Sequence, residues 1–280
     1  MIRALMIALA AGLTLAAPAA ARTLDVDAHV SANFLSSGST NVLAGTLNDQ
    51  ALGHGALRES SHSEGDESSL TGKARYVDGR GTLSWTEALR TQATSDSTLS
   101  VTGTWTAARG TGRYAHAAGK GTVSGTVDTR TGVTHLRYSG TLSHDPERLH
   151  VPRRQAHRYH ATIHAIGIEI DSDGVATVAG PVEGLTPAGG MLVFRAKQGV
   201  PRTKAPFIFY DGRGTLFGYA YIERVQNSDG STSIIGRGGQ FQGGTGRYAH
   251  VKARGRAVFG GSRDPDTGVV TLKLRGTLVY

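Results

Sequence analysis

The heptapeptide Gly-Thr-Gly-Arg-Tyr-Ala-His stands at residues 110–116 and again at 244–250. Other segments recur around it in the same order. Asp78-Gly79-Arg80-Gly81-Thr82-Leu83 returns as Asp211-Gly212-Arg213-Gly214-Thr215-Leu216 at an offset of 133, and Gly140-Thr141-Leu142 as Gly276-Thr277-Leu278 at an offset of 136. A drift of this size between anchors is what connecting loops absorb. The chain therefore reads as two copies of one domain, at 22–150 and 151–280. Solenoid units repeat every 20–50 residues or so, so a period this long implies that each copy folds around its own core.

Ahead of the first copy, Met1-Ile2-Arg3 leads into an apolar run from Ala4 to Ala17 and then Ala19-Ala20-Ala21. A positive start, a short hydrophobic stretch and an A-x-A end describe a secretory signal peptide over residues 1–21. The run is too short for a resident membrane span, and no later stretch is apolar enough to supply one. The expected location is secreted or periplasmic. The chain has no cysteine, so it uses no disulfide framework although that compartment would permit one. Residues 144–158, with Pro146, Pro152 and a basic cluster, read as the linker between the copies.

With 39 glycines and no sustained helical period, the chain consists of short alternating segments separated by turns. Thr134–Leu142 alternates apolar and polar residues, and Thr271–Leu278 does the same, the pattern of strands with one buried face. Leu136, Tyr138 and Leu142 should point inward, matched by Leu272, Leu274 and Leu278. Asp78-Gly79, Asp173-Gly174, Asp211-Gly212 and Asp229-Gly230 supply hairpin turns. About eight strands fit in each copy, the number with which an up-and-down barrel closes and hides its edges. The expected fold is all-β, two tandem eight-stranded antiparallel barrels related by a simple rotation. On this reading the repeated heptapeptide is a turn. Gly110, Gly112, Gly244 and Gly246 are free to take positive φ, and Arg113-Tyr114 and Arg247-Tyr248 would lay a ring across each barrel mouth.

The segments ARGTGRYAHAAGKGTVSG (108–125) and GGTGRYAHVKARGRAVFG (243–260) carry a turn and strand that resembles the allene oxide cyclase and dirigent barrels of the calycin group. The resemblance covers the second half of each copy, and the first half only through its strand pattern. It implies an eight-stranded barrel with a largely apolar lumen that orients a reactive small molecule for cyclisation or coupling, and trimers as a common assembly. No functional carboxylate or arginine of that family aligns residue by residue, so none is carried over.

Several chemistries lack their residues. There is no G-x-S-x-G elbow, H-E-x-x-H, P-loop or cysteine nucleophile, and no glycine pair opens a helix of a dinucleotide fold. No cofactor is called for. Glu169–Gly174 faintly follows a calcium loop, but Gly180 stands where a bidentate glutamate is needed, which leaves a hairpin turn. His144, His150, His157, His160 and His164 crowd the linker and the next strand without a spacing that converges on a metal, so no metal site is expected. His116 and His250 read as exposed turn ends.

The strand after each Asp-Gly-Arg-Gly holds the candidate catalytic residues. Leu83, Trp85, Glu87 and Leu89 share a face. There Glu87 is either a desolvated acid with a raised pKa or an outward rim residue paired with a cation. Copy two has Gly218 and Ala220 in place of Trp85 and Glu87, while its other face carries Phe217, Tyr219, Tyr221 and Glu223. Glu87, Glu223, Tyr219 and Tyr221 are the catalytic candidates, and Trp85, Tyr76, Arg195 and Arg237 the ligand contacts. The alternative for Tyr219 and Tyr221 is a cross-strand aromatic cluster.

Charge also separates the copies. Residues 22–150 carry 12 Lys+Arg against 13 Asp+Glu, and residues 151–280 carry 17 against 9. Lys252, Arg254 and Arg256 on one strand and Lys273 and Arg275 on another suggest a basic stripe suited to an anionic glycan or ligand. Nucleic acid is not an expected partner outside the cytoplasm. Three functions follow: an exported barrel that binds a small apolar or aromatic molecule and steers its cyclisation or isomerisation, a non-catalytic envelope binding module, and a glycan-active lyase or hydrolase. A homo-oligomer is compatible with each.

Overall fold

The computed structural model describes residues 22–37, 40–63, 68–145, 156–186 and 189–279. The signal peptide and most of the linker lie outside them. The first copy contains β1 (Arg22–Ser37), β2 (Thr40–Asp49), β3 (Gly53–Ser63), β4 (Ser69–Val77), β5 (Gly81–Ser95), β6 (Thr98–Gly112), β7 (Ala118–Asp128) and β8 (Val133–His144). The second contains β9 (Ala156–Ile170), β10 (Val175–Glu183), β11 (Gly190–Lys197), β12 (Arg202–Tyr210), β13 (Thr215–Gln226), β14 (Thr232–Gly244), β15 (Lys252–Arg263) and β16 (Val270–Val279). Within each copy, each strand pairs antiparallel with its neighbours in sequence. β1 closes on β8 and β9 on β16, giving two closed eight-stranded barrels. A single 3-10 turn, Gly246–Tyr248, is the only helical element among the described residues.

Alternation decides what faces inward. Leu136, Tyr138 and Leu142 of β8 are buried, as are Leu272 and Leu278 of β16, with Leu274 packed against the same core. The Asp-Gly dipeptides fall at the β4–β5, β9–β10, β12–β13 and β13–β14 connections. Asp171, for example, accepts hydrogen bonds from the Asp173 and Val175 amides, so that segment is a hairpin turn.

The repeated motifs form one unit in each barrel. The Tyr114 hydroxyl donates to Asp78 at 2.9 Å, and the Tyr248 hydroxyl to Asp211 at 2.8 Å. Asp78 also accepts from the Arg80 and Gly81 amides, and Asp211 from the Arg213 amide. Gly112 (φ 58°) and Gly246 (φ 56°) take the left-handed conformation. Gly110 and Gly244 do not. They are glycines because a Cβ would strike the backbone of Tyr114 or Tyr248, at 1.8 and 2.6 Å. The tyrosine rings do not lie across an open mouth, as the sequence suggested, but are fully buried, because each hydroxyl has a buried carboxylate to reach.

The barrels meet through equivalent residues. A Cβ on Gly79 would come 2.8 Å from Thr215, and one on Gly212 would come 2.5 Å from Thr82; the repeat offset of 133 maps each pair onto the other. Ala56 and Val77 of the first barrel pack with Met191 and Tyr210 of the second, which are their counterparts. The contact is isologous, as between the halves of a two-fold dimer.

Candidate functional site

In the first barrel Glu87 points into the lumen and is buried, which settles its orientation in favour of the desolvated acid. Its carboxylate accepts hydrogen bonds from the Trp85 indole N–H and, at 2.8 Å, from the Tyr138 hydroxyl. Across β4 it meets a second buried acid, Glu59 of β3. Gly72 of β4 pairs with Glu87 and stands between the two; a Cβ there would lie 3.5 Å from Glu59 Oε1. Burial raises the pKa of both acids, and for Glu59 the charge of Glu87 adds to the rise. Two carboxylates this close in a low-dielectric interior do not both ionise. Glu87 has the indole and phenol donors that favour its charged form, so the proton resides on Glu59.

Aromatic rings close in on this pair. Trp85 packs edge-on to Trp105 (6.4 Å between ring centroids) and to Tyr138 (5.5 Å). Trp105 fits because its neighbour is Gly121, where a Cβ would come 2.5 Å from the indole nitrogen. Tyr76 is fully buried with its ring edge-on to Tyr114. Trp85 and Tyr76 are therefore core residues of a filled lumen. Glu59 escaped the sequence reading because Arg58-Glu59-Ser60-Ser61-His62 looks solvated, and only pairing across Gly72 brings it to Glu87.

The second barrel is hollow. A cavity of about 960 Å³ occupies its lumen, walled by apolar side chains that include Ile163, Val178, Phe194, Phe207, Phe259 and Leu272. Register explains the space. β13 presents Leu216, Gly218, Ala220 and Ile222 where β5 presents Leu83, Trp85, Glu87 and Leu89. Ala220 pairs with Gly239, whereas Glu87 pairs with Trp105, so both indoles of the first lumen have glycine counterparts. Phe194 and Leu274 stand where the first copy has Glu59 and Tyr138. The polar layer is gone. One end of the cavity opens between Gln198, Arg224, Thr232, Arg263 and the 265–268 turn, and is bounded there by Asn33, Phe34 and residues 129–133 of the first barrel.

The remaining sequence candidates lie on the outer wall of the second barrel, not in the lumen. Glu223 forms ion pairs with Arg237 (2.6 Å) and Arg202 (3.4 Å), and the hydrogen bond from Arg237 lowers its pKa. Tyr219 and Tyr221 pack edge-on at 5.4 Å, and the Lys204 ammonium sits 4.1 Å above the Tyr219 ring. The two rings belong to one strand, so they form a same-strand pair and not the cross-strand cluster. Tyr219 is among the residues that line the cavity, while Tyr221 and Arg237 line a separate shallow groove with Arg202 and Lys204. Arg195 pairs with Asp171 at 2.7 Å on the barrel exterior. All the large hydrophobic side chains left exposed among the described residues, such as Ile208, Phe217 and Tyr221, belong to the second copy.

The described residues contain no cluster of metal-ligating side chains. His160, His164, His116 and His250 are exposed, and His144 is buried, which lowers its pKa. The side chains of Lys252, Arg254 and Arg256 lie outside the described ones, while Lys273 and Arg275 are exposed. No helix among the described residues is long and apolar enough to cross a membrane.

No family model matches the chain, and no curated protein matches it. Among solved structures, a candidate AttH protein from Nitrosomonas europaea is similar at 9% identity over 90% of this chain and 92% of that one, with a TM-score of 0.12, too low to bear on fold or function.

Proposed function

We propose that the protein is an exported binding protein that holds a small, mostly apolar or aromatic molecule in the lumen of its second barrel, with the first barrel as a rigid support. The observation that carries this reading is the apolar cavity of about 960 Å³, which lies at the large end of the range usual for small-molecule sites. It lies where residues of the second copy have shrunk, at Gly218, Ala220 and Gly239. The likeness of residues 108–125 and 243–260 to allene oxide cyclase and dirigent barrels supports the same ligand class, and the apolar run before Ala21 supports export.

Binding is favoured over turnover because the two requirements of acid-assisted cyclisation occur in different barrels. The buried acids, Glu59 and Glu87, are enclosed by Trp85, Trp105 and Tyr138, and among the described residues no carboxylate faces the apolar part of the cavity. The glycan reading is weaker, since two of the three cations in the outer groove share their charge with Glu223.

Titration with the neutral fluorophore N-phenyl-1-naphthylamine tests the proposal. One saturable site is expected. Ala220→Trp, which returns an indole to the emptied level, should weaken binding at least about tenfold, roughly 1.4 kcal/mol, while the chain stays folded. Undiminished binding by the folded variant would place the ligand elsewhere.

A further inference from the structure

This inference rests on the reading of the second barrel as a receptor, and concerns the part of the ligand that stays at the mouth. Arg224 continues the inward series Leu216, Gly218, Ala220 and Ile222 of β13. Arg263 ends the inward series of β15 after Phe259 and Gly261. On the intervening strand β14, Arg224 pairs with Ile234 and Arg263 with Thr232, neighbouring positions on one face. The two guanidiniums therefore flank β14 from either side, and both line the cavity. Arg224 donates one hydrogen bond to the Lys197 carbonyl at 2.7 Å. Neither arginine forms an ion pair among the described residues.

The balance of charge at this rim is positive. Arg130 of the first barrel adds a third cation, 3.9 Å from Asp128, and the lining carboxylate is the exposed Asp266. Burial, followed by the charge of Arg263, pulls the Arg224 pKa below its ordinary value, so the two cations sense one another. Like charges at the lip of an apolar cavity are unfavourable without an anion between them. The first copy, with its filled lumen, has Thr91 and Val127 at the matching positions. The cation pair thus accompanies the cavity.

We propose that the second barrel takes an amphiphile with one anionic head group, a carboxylate or a phosphate ester, its tail in the lumen and its head between Arg224 and Arg263. The tail supplies affinity through burial. The head supplies direction, because guanidinium N–H groups recognise either anion through charge-assisted, often bidentate hydrogen bonds.

Displacement of N-phenyl-1-naphthylamine from the full chain by four probes tests this: dodecanoate, dodecyl phosphate, 1-dodecanol and dodecyltrimethylammonium. At low salt at least one anion should bind about tenfold more tightly than dodecanol, roughly 1.4 kcal/mol, with the cationic probe weakest. The preference should shrink as salt rises. The tighter of the two anions identifies the source as a fatty acid or a phosphate ester. Arg224→Gln combined with Arg263→Gln should abolish the preference, bringing both anions to the affinity that the same variant shows for dodecanol. Equal affinity for dodecanol and both anions, or a preference that survives the double substitution, would overturn the head-group assignment while leaving the cavity reading intact. Displacement by none of the four would overturn both.

Discussion

Midway along the first lumen, Trp85, Trp105 and Tyr138 close around the carboxyl pair of Glu59 and Glu87. At the same level of the second lumen stand Gly218, Gly239, Leu274, Phe194 and Ala220, with open space between them. The walls around these different contents match strand for strand, down to the Asp78–Tyr114 bond and its counterpart Asp211–Tyr248. Closure of an eight-stranded barrel is therefore set by strand number, turn chemistry and the Asp–Tyr staple. The filling of the lumen is free to change once each copy has those elements.

The largest expected difference lies in how each barrel responds to loss of an aromatic side chain. Trp105→Ala should destabilise the first barrel by about 3–5 kcal/mol, since it empties a close-packed site. Phe241 already borders the second cavity, so Phe241→Ala should cost its own barrel less than Trp105→Ala costs the first. Hydrogen exchange resolved by barrel separates the two effects. Equal losses would mean that the lumens are filled alike.

Where the barrels are alike, the effects should agree. Gly112→Val and Gly246→Val force a β-branched residue into positive φ and should each cost about 1–3 kcal/mol in their own barrel. Tyr114→Phe and Tyr248→Phe should each cost about 1–2 kcal/mol, because each leaves a buried carboxylate short of a donor. A large effect in one copy only would break the claim of a shared staple.

The acid pair gives the first barrel a pH dependence that the second lacks. Both pKa values are raised in the folded state, so the folded barrel holds protons that the unfolded chain has released. Relative to Glu59→Gln, the wild-type barrel should be fully stable below about pH 4.5, the unfolded glutamate value, and should lose stability as pH rises through the raised folded values. Thermal melts of the two proteins across acid to alkaline pH measure the difference. A wild-type stability that rises with pH relative to the variant would contradict the proton on Glu59.

Much of the fold was legible because the repeat fixed the domain count and period-2 alternation marked the inner faces, as at Leu136 and Tyr138. The face carrying Trp85 and Glu87 was legible for the same reason. The second site was not, because the aromatic residues of β13 itself lie on the face turned away from the lumen. Phe217, Tyr219 and Tyr221 drew attention outward, while the lumen was marked by small residues, Gly218 and Ala220, which carry no chemical signature. Arg224 and Arg263 stand near strand ends and belong to no repeated motif. What could have singled them out is their phase, since each continues an inward series at a position where the first copy has an uncharged residue.

Xenon tests the contrast between the lumens most directly, since a dry apolar cavity binds it without needing any head-group contact. Crystals of the protein under xenon pressure should show the atom inside the second barrel, among Ala220, Phe259 and Leu272, and none around Trp85 and Trp105. Xenon within the first lumen, or its absence from the second, would contradict a filled support barrel joined to a hollow receptor.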